Sequence, residues 1–198
     1  FNAGADISGD DAHENFDVRA MDVTNRIIRA IVACDRPVLA AVNGVAAGVG
    51  CGIALACDIV VAAASSSSLL AFTRIGFMPD GGTSATVAAS VGRARAMRMA
   101  LLAEPLSAQE AYDAGLVTHV AGDEEFPTLV DTLVRRLASG PPLAFAATKK
   151  AVNAATLLPL DDALERERTG QVVLMRTADV AEGMRAFSER RRPVFRGE

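Results

Sequence analysis

Two stretches of this sequence combine residue types that could support chemistry. In the first, the glycine-spaced run Gly48-Val49-Gly50-Cys51-Gly52 follows an apolar segment, Pro37 to Val42, and a turn signal at Asn43-Gly44, and leads into a second apolar segment ending near Cys57. A strand, a turn, a glycine-spaced loop and a helix in that order bare backbone N–H groups where the helix begins. Negative charge is favoured there, because those donors lack intrahelical partners and the helix dipole is positive at that end. The same glycines also fit a structural role, letting helix and strand pack closely. The second stretch, Arg74-Ile75-Gly76-Phe77-Met78-Pro79-Asp80-Gly81-Gly82-Thr83, holds Asp80 inside a strong turn signal. As a turn residue or helix N-cap, Asp80 would be structural. Held beside Phe72, Ile75, Phe77 and Met78, its carboxyl would instead lose water, keep its proton to higher pH and become useful as a base. A third stretch, Ala3-Gly4-Ala5-Asp6-Ile7, is a small-residue loop whose offering is its backbone.

Other chemistries find little footing. His13 and His119 are far apart and isolated, His13 between acidic residues and His119 in a small extended piece, so no metal-ligand cluster forms from them and none is expected. GxSxG is absent, and the run Gly48 to Gly52 lacks the lysine and hydroxyl residue of a P-loop. Its partial likeness to a dinucleotide fingerprint is not followed by a strand with an acidic end. A net charge of -4 with a pI near 5.3 argues against nucleic acid as the main partner. No apolar run is long enough to span a membrane, and no basic segment precedes an apolar one at the start, so no membrane partner is expected. Cys34, Cys51 and Cys57 form no CxxC pair and lie in apolar context, which suits buried thiols in a reducing, cytoplasmic compartment.

The elements that must position these residues can be read from periodicity. With 51% apolar residues in 198, the chain can bury a core as one globular unit without disulfides or metal. Phe16, Ala20, Val23, Ile27 and Ile31 recur at helical spacing from Asp11 to Cys34. Strands are expected at Pro37 to Val42, Ile59 to Ala62 and Leu69 to Phe72, with the serine run Ser65 to Ser68 as a turn or mobile loop. A helix runs to Leu102 with a break at Val91-Gly92. Ser107 and Glu110 form a capping box for a short helix closed by Gly115, and Leu116 to Val120 is extended. Helices then cover about Glu124 to Ala138, Pro141 to Leu157, Asp161 to Met175 and Val180 to Arg190. Their surplus apolar stripes suit subunit interfaces. Arg190-Arg191-Arg192 reads as a solvated tail or, failing that, a phosphate contact.

Six ordered blocks carry a resemblance: Phe1 to Ile7, Ala41 to Gly48, Ala56-Cys57-Asp58-Ile59, Gly76 to Thr83, Ala111 to Val117, and Glu182 to Phe187. Together they resemble the enoyl-CoA hydratase/isomerase (crotonase) family. The resemblance implies an α/β fold, a spiral of β-β-α turns over residues 1–138 with a helical C-terminal region over 139–198 used for trimer formation. It also implies opening strands that would precede Phe1, so the chain is expected to begin inside a larger one. The implied chemistry stabilises the enolate of an acyl-CoA thioester with two backbone N–H groups, which by motif fall on Ala5 and Val49. Substrate contacts are implied for Ala3, Asp6, Ile7 and Gly48 on one side and Phe72, Ile75 and Pro79 on the other. No cofactor is implied beyond the coenzyme A of the substrate, and a homotrimer or dimer of trimers is the implied assembly.

The departures from the family pattern select among its chemistries. The glutamates of two-carboxylate hydratases are matched here by Gly52 and Phe72, neither of which can move a proton. Asp80 falls where isomerase-like and dehalogenase-like members place a working aspartate. One base facing an enolate pocket suffices for a 1,3-proton shift, so isomerisation of an enoyl-CoA with Asp80 as base is the leading expectation. Hydration through Asp80 and a positioned water, and a non-catalytic acyl-CoA-binding protein, remain the alternatives. A nucleophilic Asp80 ranks below them.

Overall fold

The computed structural model describes residues 1–7 and 17–198. His13, Phe16 and the first turn expected of the helix from Asp11 therefore lie outside the described residues. Helix α1 spans Val18–Ala33, with Asp17 as its N-cap accepting from the Arg19 amide. Next come β1 (Leu39–Val42), β2 (Val45–Ala47) and α2 (Val49–Leu55), then β3 (Ile59–Ala63), β4 (Ser67–Leu69), a 3-10 turn at Phe72–Ile75 and α3 (Thr83–Leu102). Each of these two β-β-α turns places its first strand in one sheet and its second in another. The sheets are β1-β3-β6 and β2-β4-β5, with β5 at Leu106–Ser107 and β6 at His119–Ala121. Parallel pairing of β1 with β3 and of β2 with β4 stacks one turn on the next. This is a spiral, and it places the β2–α2 junction beside the segment that leads into α3.

The strands are short and rich in alanine because they are covered on both sides. Val42, Ala46, Val60, Ala62 and Leu70 share one core with Cys51 of α2 and Val87 and Met99 of α3. Helix α4 (Ala108–Asp113) opens on the expected capping box, the Ser107 hydroxyl accepting from the Glu110 amide while the Glu110 carboxylate accepts from the Ser107 amide. Helices α5 (Phe126–Ala138), α6 (Pro142–Thr156), α7 (Leu160–Leu174) and α8 (Ala178–Ser188) complete the chain. Lys149 of α6 ties that helix down, its Nζ donating to Asp58 Oδ2 at 2.8 Å and to the Ile31 carbonyl at 2.8 Å. Arg191, after the last helix, is not a free cation but clamped on Glu182 and Glu189.

Several expectations need correction. The run Gly48 to Gly52 is not a loop ahead of a helix: strand β2 leads into Gly48, and Gly50 and Gly52 lie inside α2. Of the cysteines expected to be buried, Cys51 is, while Cys34 and Cys57 are partly exposed. The serine run is not a mobile loop: Ser67–Leu69 is strand β4, Ser66 and Ser68 are buried, and the strand expected at Leu69 to Phe72 gives way to the 3-10 turn. Pairing with β2 overrides local turn propensity, and small side chains suit the narrow space between turns of the spiral. The buried face of α1 is also rotated by about one residue from the expected stripe. Met21, Asn25 and Ile28 are buried, while Val23 and Ile27 are 46% and 40% exposed. Asn25 inside donates its amide to the Leu164 carbonyl at 3.4 Å, while its Oδ1 meets no described donor. The break in α3 is where expected, at Gly92 with φ 75°.

The start of the chain packs on α2 with no room to spare. A Cβ added at Gly50 would lie 2.4 Å from the Asn2 carbonyl oxygen and 2.7 Å from its side-chain oxygen. Gly50→Ala therefore has to push the N-terminal segment off α2. Denaturant unfolding is expected to show a loss of about 1–3 kcal/mol, with a larger loss for Gly50→Val.

Candidate active site

One cavity of about 580 Å³ gathers the three stretches singled out in the sequence. The loop Ala3 to Ile7 forms one wall, Gly48 and Val49 another, and Leu69, Phe72, Ile75 and Phe77 a third, with Asp80 between them. Met21 and Thr24 of α1 and Phe187 of α8 complete it. The wall is predominantly apolar carbon, so water is poorly held inside and charge is costly unless neutralised.

Local geometry explains why the two backbone segments meet. Asn2 forms a parallel bridge with Ala46, its amide donating to the Val45 carbonyl at 3.0 Å and its carbonyl accepting from the Ala47 amide at 2.9 Å. Its side-chain oxygen accepts from the Gly4 amide at 2.8 Å, which curls the chain immediately afterwards. Gly4 has φ 98°, and a Cβ there would sit 3.0 Å from the Ala47 carbonyl oxygen and 3.9 Å from Gly48 Cα. Only glycine meets both demands, and Ala5 follows alongside the β2–α2 turn. Gly48, at φ 54°, turns the chain into α2, so Val49 is the first helical residue and its N–H has no intrahelical partner. Among the described residues, no backbone oxygen accepts the Ala5 or Val49 amide hydrogen.

Asp80 is 6% exposed. Burial pushes its carboxyl up to about 7, opposed by a hydrogen bond from Gln171 and reinforced by the charge of Glu167. Gln171 Nε2 donates to Asp80 Oδ2 at 2.8 Å. Asp80 is also a turn residue, since its carbonyl accepts from the Thr83 amide and hydroxyl. The two readings of Asp80 are thus compatible, main chain for the turn and side chain for the cavity. Behind it Glu167 is 1% exposed and accepts from the Gly82 amide at 2.7 Å, the Ser84 amide at 2.9 Å and the Ser84 hydroxyl at 2.5 Å. Burial pushes the Glu167 carboxyl up as well, while these donors pull it back.

The cavity wall includes Ala3, Ala5, Asp6, Ile7, Gly48, Val49, Phe72, Ile75 and Asp80, and it does not include Pro79. Phe77 and Asp80 line the cavity, whereas Met78 and Pro79 do not, and Gln171 engages the Met78 amide and carbonyl. Gly52 has no space for a glutamate, because a Cβ there would lie 2.9 Å from the Gly81 carbonyl oxygen. This close contact seats α2 against the Asp80 turn. Phe72 is buried with its ring flanking Gly48. Sequence reasoning missed Glu167, Gln171, Met21 and Phe187. The available signal for the first two was a pair of polar residues four apart on a helix, spaced to share a face. Among the described residues no group of His, Cys, Asp and Glu side chains is placed to hold a metal ion, and no helix is long and apolar enough to cross a membrane.

Fold and site together define a family. Residues 1–198 match the model of the enoyl-CoA hydratase/isomerase family, and the chain belongs to that family. It is 44% identical over its whole length to a probable enoyl-CoA hydratase of Rhodobacter capsulatus, covering 77% of that protein. It is 40% identical to the 1,2-epoxyphenylacetyl-CoA isomerase of Escherichia coli, over 88% of this chain and 66% of that one. Among solved structures, an enoyl-CoA hydratase from Mycobacterium avium subsp. paratuberculosis superposes with a TM-score of 0.89 at 56% identity, over 90% of this chain and 72% of that one. The chain thus spans about two thirds to three quarters of these relatives.

The raised Asp80 pKa has a consequence for stability. In the unfolded chain Asp80 gives up its proton near its ordinary value of 3.8, and in the folded protein near 7. Between those values the folded state holds the extra proton, so stability falls as pH rises through that window, by an amount on the order of a few kcal/mol. Asp80→Asn removes this penalty. Its Tm should exceed that of the unmodified protein at pH 8, and calorimetry should show the difference shrinking as pH falls toward 4.

Proposed function

We propose that this chain moves the double bond of an enoyl-CoA thioester, with Asp80 carrying the proton and the Ala5 and Val49 amides receiving the charge that develops on the thioester oxygen. The carrying observation is the buried Asp80 carboxyl, held near neutral pKa, on a cavity shared with two backbone segments whose amide hydrogens have no described backbone acceptor. A thioester α-proton is too weakly acidic for a carboxylate unless the oxyanion is stabilised as it forms. Each preorganised donor supplies roughly 3 kcal/mol in the transition state. With a pKa near the working pH, Asp80 can accept the α-proton and return it at the γ-carbon of the delocalised anion, so one residue serves as base and then acid.

The apolar wall built by Phe72, Phe77, Ile75 and Phe187 favours a bulky, uncharged acyl group, and Phe72 in place of a glutamate favours isomerisation over two-carboxylate hydration. The names of the Rhodobacter and Mycobacterium relatives favour the second reading, hydration through Asp80 and one held water. No cofactor is needed beyond the coenzyme A of the substrate. For assembly we propose a homotrimer or dimer of trimers, on the strength of exposed apolar side chains such as Leu143, Val152 and Val173 along the C-terminal helices. Unpaired Cys34, Cys51 and Cys57 suit a cytoplasmic setting.

Asp80→Asn should lower the rate of 3-enoyl-CoA to 2-enoyl-CoA conversion by about 10²–10⁴-fold with KM little changed. 3-Enoyl-CoA deuterated at the α-carbon should yield 2-enoyl-CoA with part of that deuterium at the γ-carbon, the remainder being lost where the Asp80 proton exchanges with solvent before it is returned. An Asp80→Asn protein with undiminished rates would overturn the assignment. Preferential formation of 3-hydroxyacyl-CoA by the unmodified protein would establish hydration instead, and binding without any turnover would reduce the chain to an acyl-CoA binder.

A further inference from the structure

We propose that Gln171 is a positioning residue for Asp80: its amide selects which carboxyl oxygen faces the substrate and sets how readily that carboxyl gives up its proton. The inference deepens the reading of Asp80 as the proton carrier and rests on it for its catalytic meaning.

Gln171 is fully buried, at 0% exposure, on the inner face of α7. A primary amide in such a place is costly unless its hydrogen-bonding groups are engaged. Here Nε2 donates to the Met78 carbonyl at 2.9 Å and to Asp80 Oδ2 at 2.8 Å, while Oε1 accepts from the Met78 amide at 3.3 Å. Both Nε2 hydrogens are thereby committed. The two-point grip on Met78 also fixes the orientation of the amide, because turning it over would set Oε1 against the Met78 carbonyl and the Asp80 carboxylate together. Asp80 Oδ2 is therefore always met by a donor. Oδ1, which no described donor engages, is left for the substrate side of the cavity that Asp80 lines.

One turn earlier on the same face, Glu167 holds the Gly82 and Ser84 amides, so α7 grips the Pro79 to Gly82 turn from both sides of Asp80. Among the described residues, the ionisable groups around Asp80 are Glu167 behind it and Asp6 and Arg74 on the cavity wall. Burial and the Glu167 charge both favour the protonated form, and Gln171 is the group that favours the carboxylate. Without it the Asp80 carboxyl would hold its proton to higher pH, and a smaller fraction would be ionised and ready to begin the reaction. A mere packing role for residue 171 would be met by an apolar side chain of the same length.

The test compares Gln171→Met and Gln171→Glu with the unmodified protein, using 13C-labelled aspartate and assigning the Asp80 carboxyl by its absence from Asp80→Asn. In Gln171→Met the Asp80 titration midpoint should move up by about one pH unit, the worth of one hydrogen bond to a charged group. The acid limb of the kcat profile should follow it, lowering kcat about tenfold at pH 6 with KM changed less than about twofold. In Gln171→Glu, which keeps the size and replaces a donor by a second carboxyl, the midpoint should move further in the same direction. This second variant carries the test if the methionine variant does not fold. A midpoint unchanged in whichever variants fold overturns the proposal. If the midpoint moves while Asp80→Asn retains full turnover, Gln171 positions the carboxyl but the base assignment fails. If Asp80→Asn is inactive and the midpoint stays, the base assignment holds and the role of Gln171 falls.

Discussion

The structure depends on how closely the beginning of the chain can approach the turn between β2 and α2. Asn2 pairs with Ala46 as though it were a further strand residue, and Gly4 then passes so near the Ala47 carbonyl that any side chain would be in contact with it. Gly50 gives the Asn2 carbonyl its room on the other side. Gly4 and Gly50 thus let two stretches of backbone, about forty positions apart in sequence, border one cavity. In a site where the reacting oxygen is to be met by main-chain N–H groups, the spacing of backbones is the chemistry. Glycine is what permits that spacing, and it exacts a conformational-entropy cost that the surrounding spiral must offset.

The second constraint is electrostatic. A single helix, α7, presents Glu167 and Gln171 to the turn that carries Asp80, and none of the three side chains is appreciably exposed. Two carboxyls buried this close to each other hold their protons more tightly than in water, Glu167 being offset by backbone and hydroxyl donors and Asp80 by one amide. The Asp80 carboxyl is left near neutrality, where it can move a proton in either direction. The same burial lowers the stability of the fold once Asp80 ionises, a trade-off common at sites built for proton transfer.

Much of this was legible in the sequence because the informative residues do their work locally. Pro79 to Gly82 and the Ser107–Glu110 box are signals of backbone geometry, and each lies where that geometry was expected, whereas of the run Gly48 to Gly52 only Gly48 forms the turn and the rest is already helix. The serine run at Ser65 to Ser68 was misread because β4 exists through its pairing with β2, a contact no local propensity encodes. The inner face of α1 was misassigned because apolarity alone favoured Val23 and Ile27 over a stripe interrupted by Asn25, whose burial depends on the Leu164 carbonyl from another helix. Gln171 lies four residues from Glu167, a spacing that signals a shared helix face but not what that face meets. Its meaning comes from Met78 and Asp80, ninety-odd residues away. Pro79, a substrate contact implied by the resemblance, is not among the residues lining the cavity, and a motif match does not decide which way an irregular segment faces.

The most direct test of the account is the strength with which the thioester oxygen is held. Isotope-edited infrared spectra of a 13C=O-labelled, unreactive acyl-CoA bound to the protein should show the carbonyl stretch well below its frequency in water, as two fixed backbone donors polarise the bond. The shift should persist in Asp80→Asn, since the donors are main chain. A bound thioester whose carbonyl stretch matches that in water would contradict the convergence of the Ala5 and Val49 amides on one oxygen, and with it the proposed mechanism.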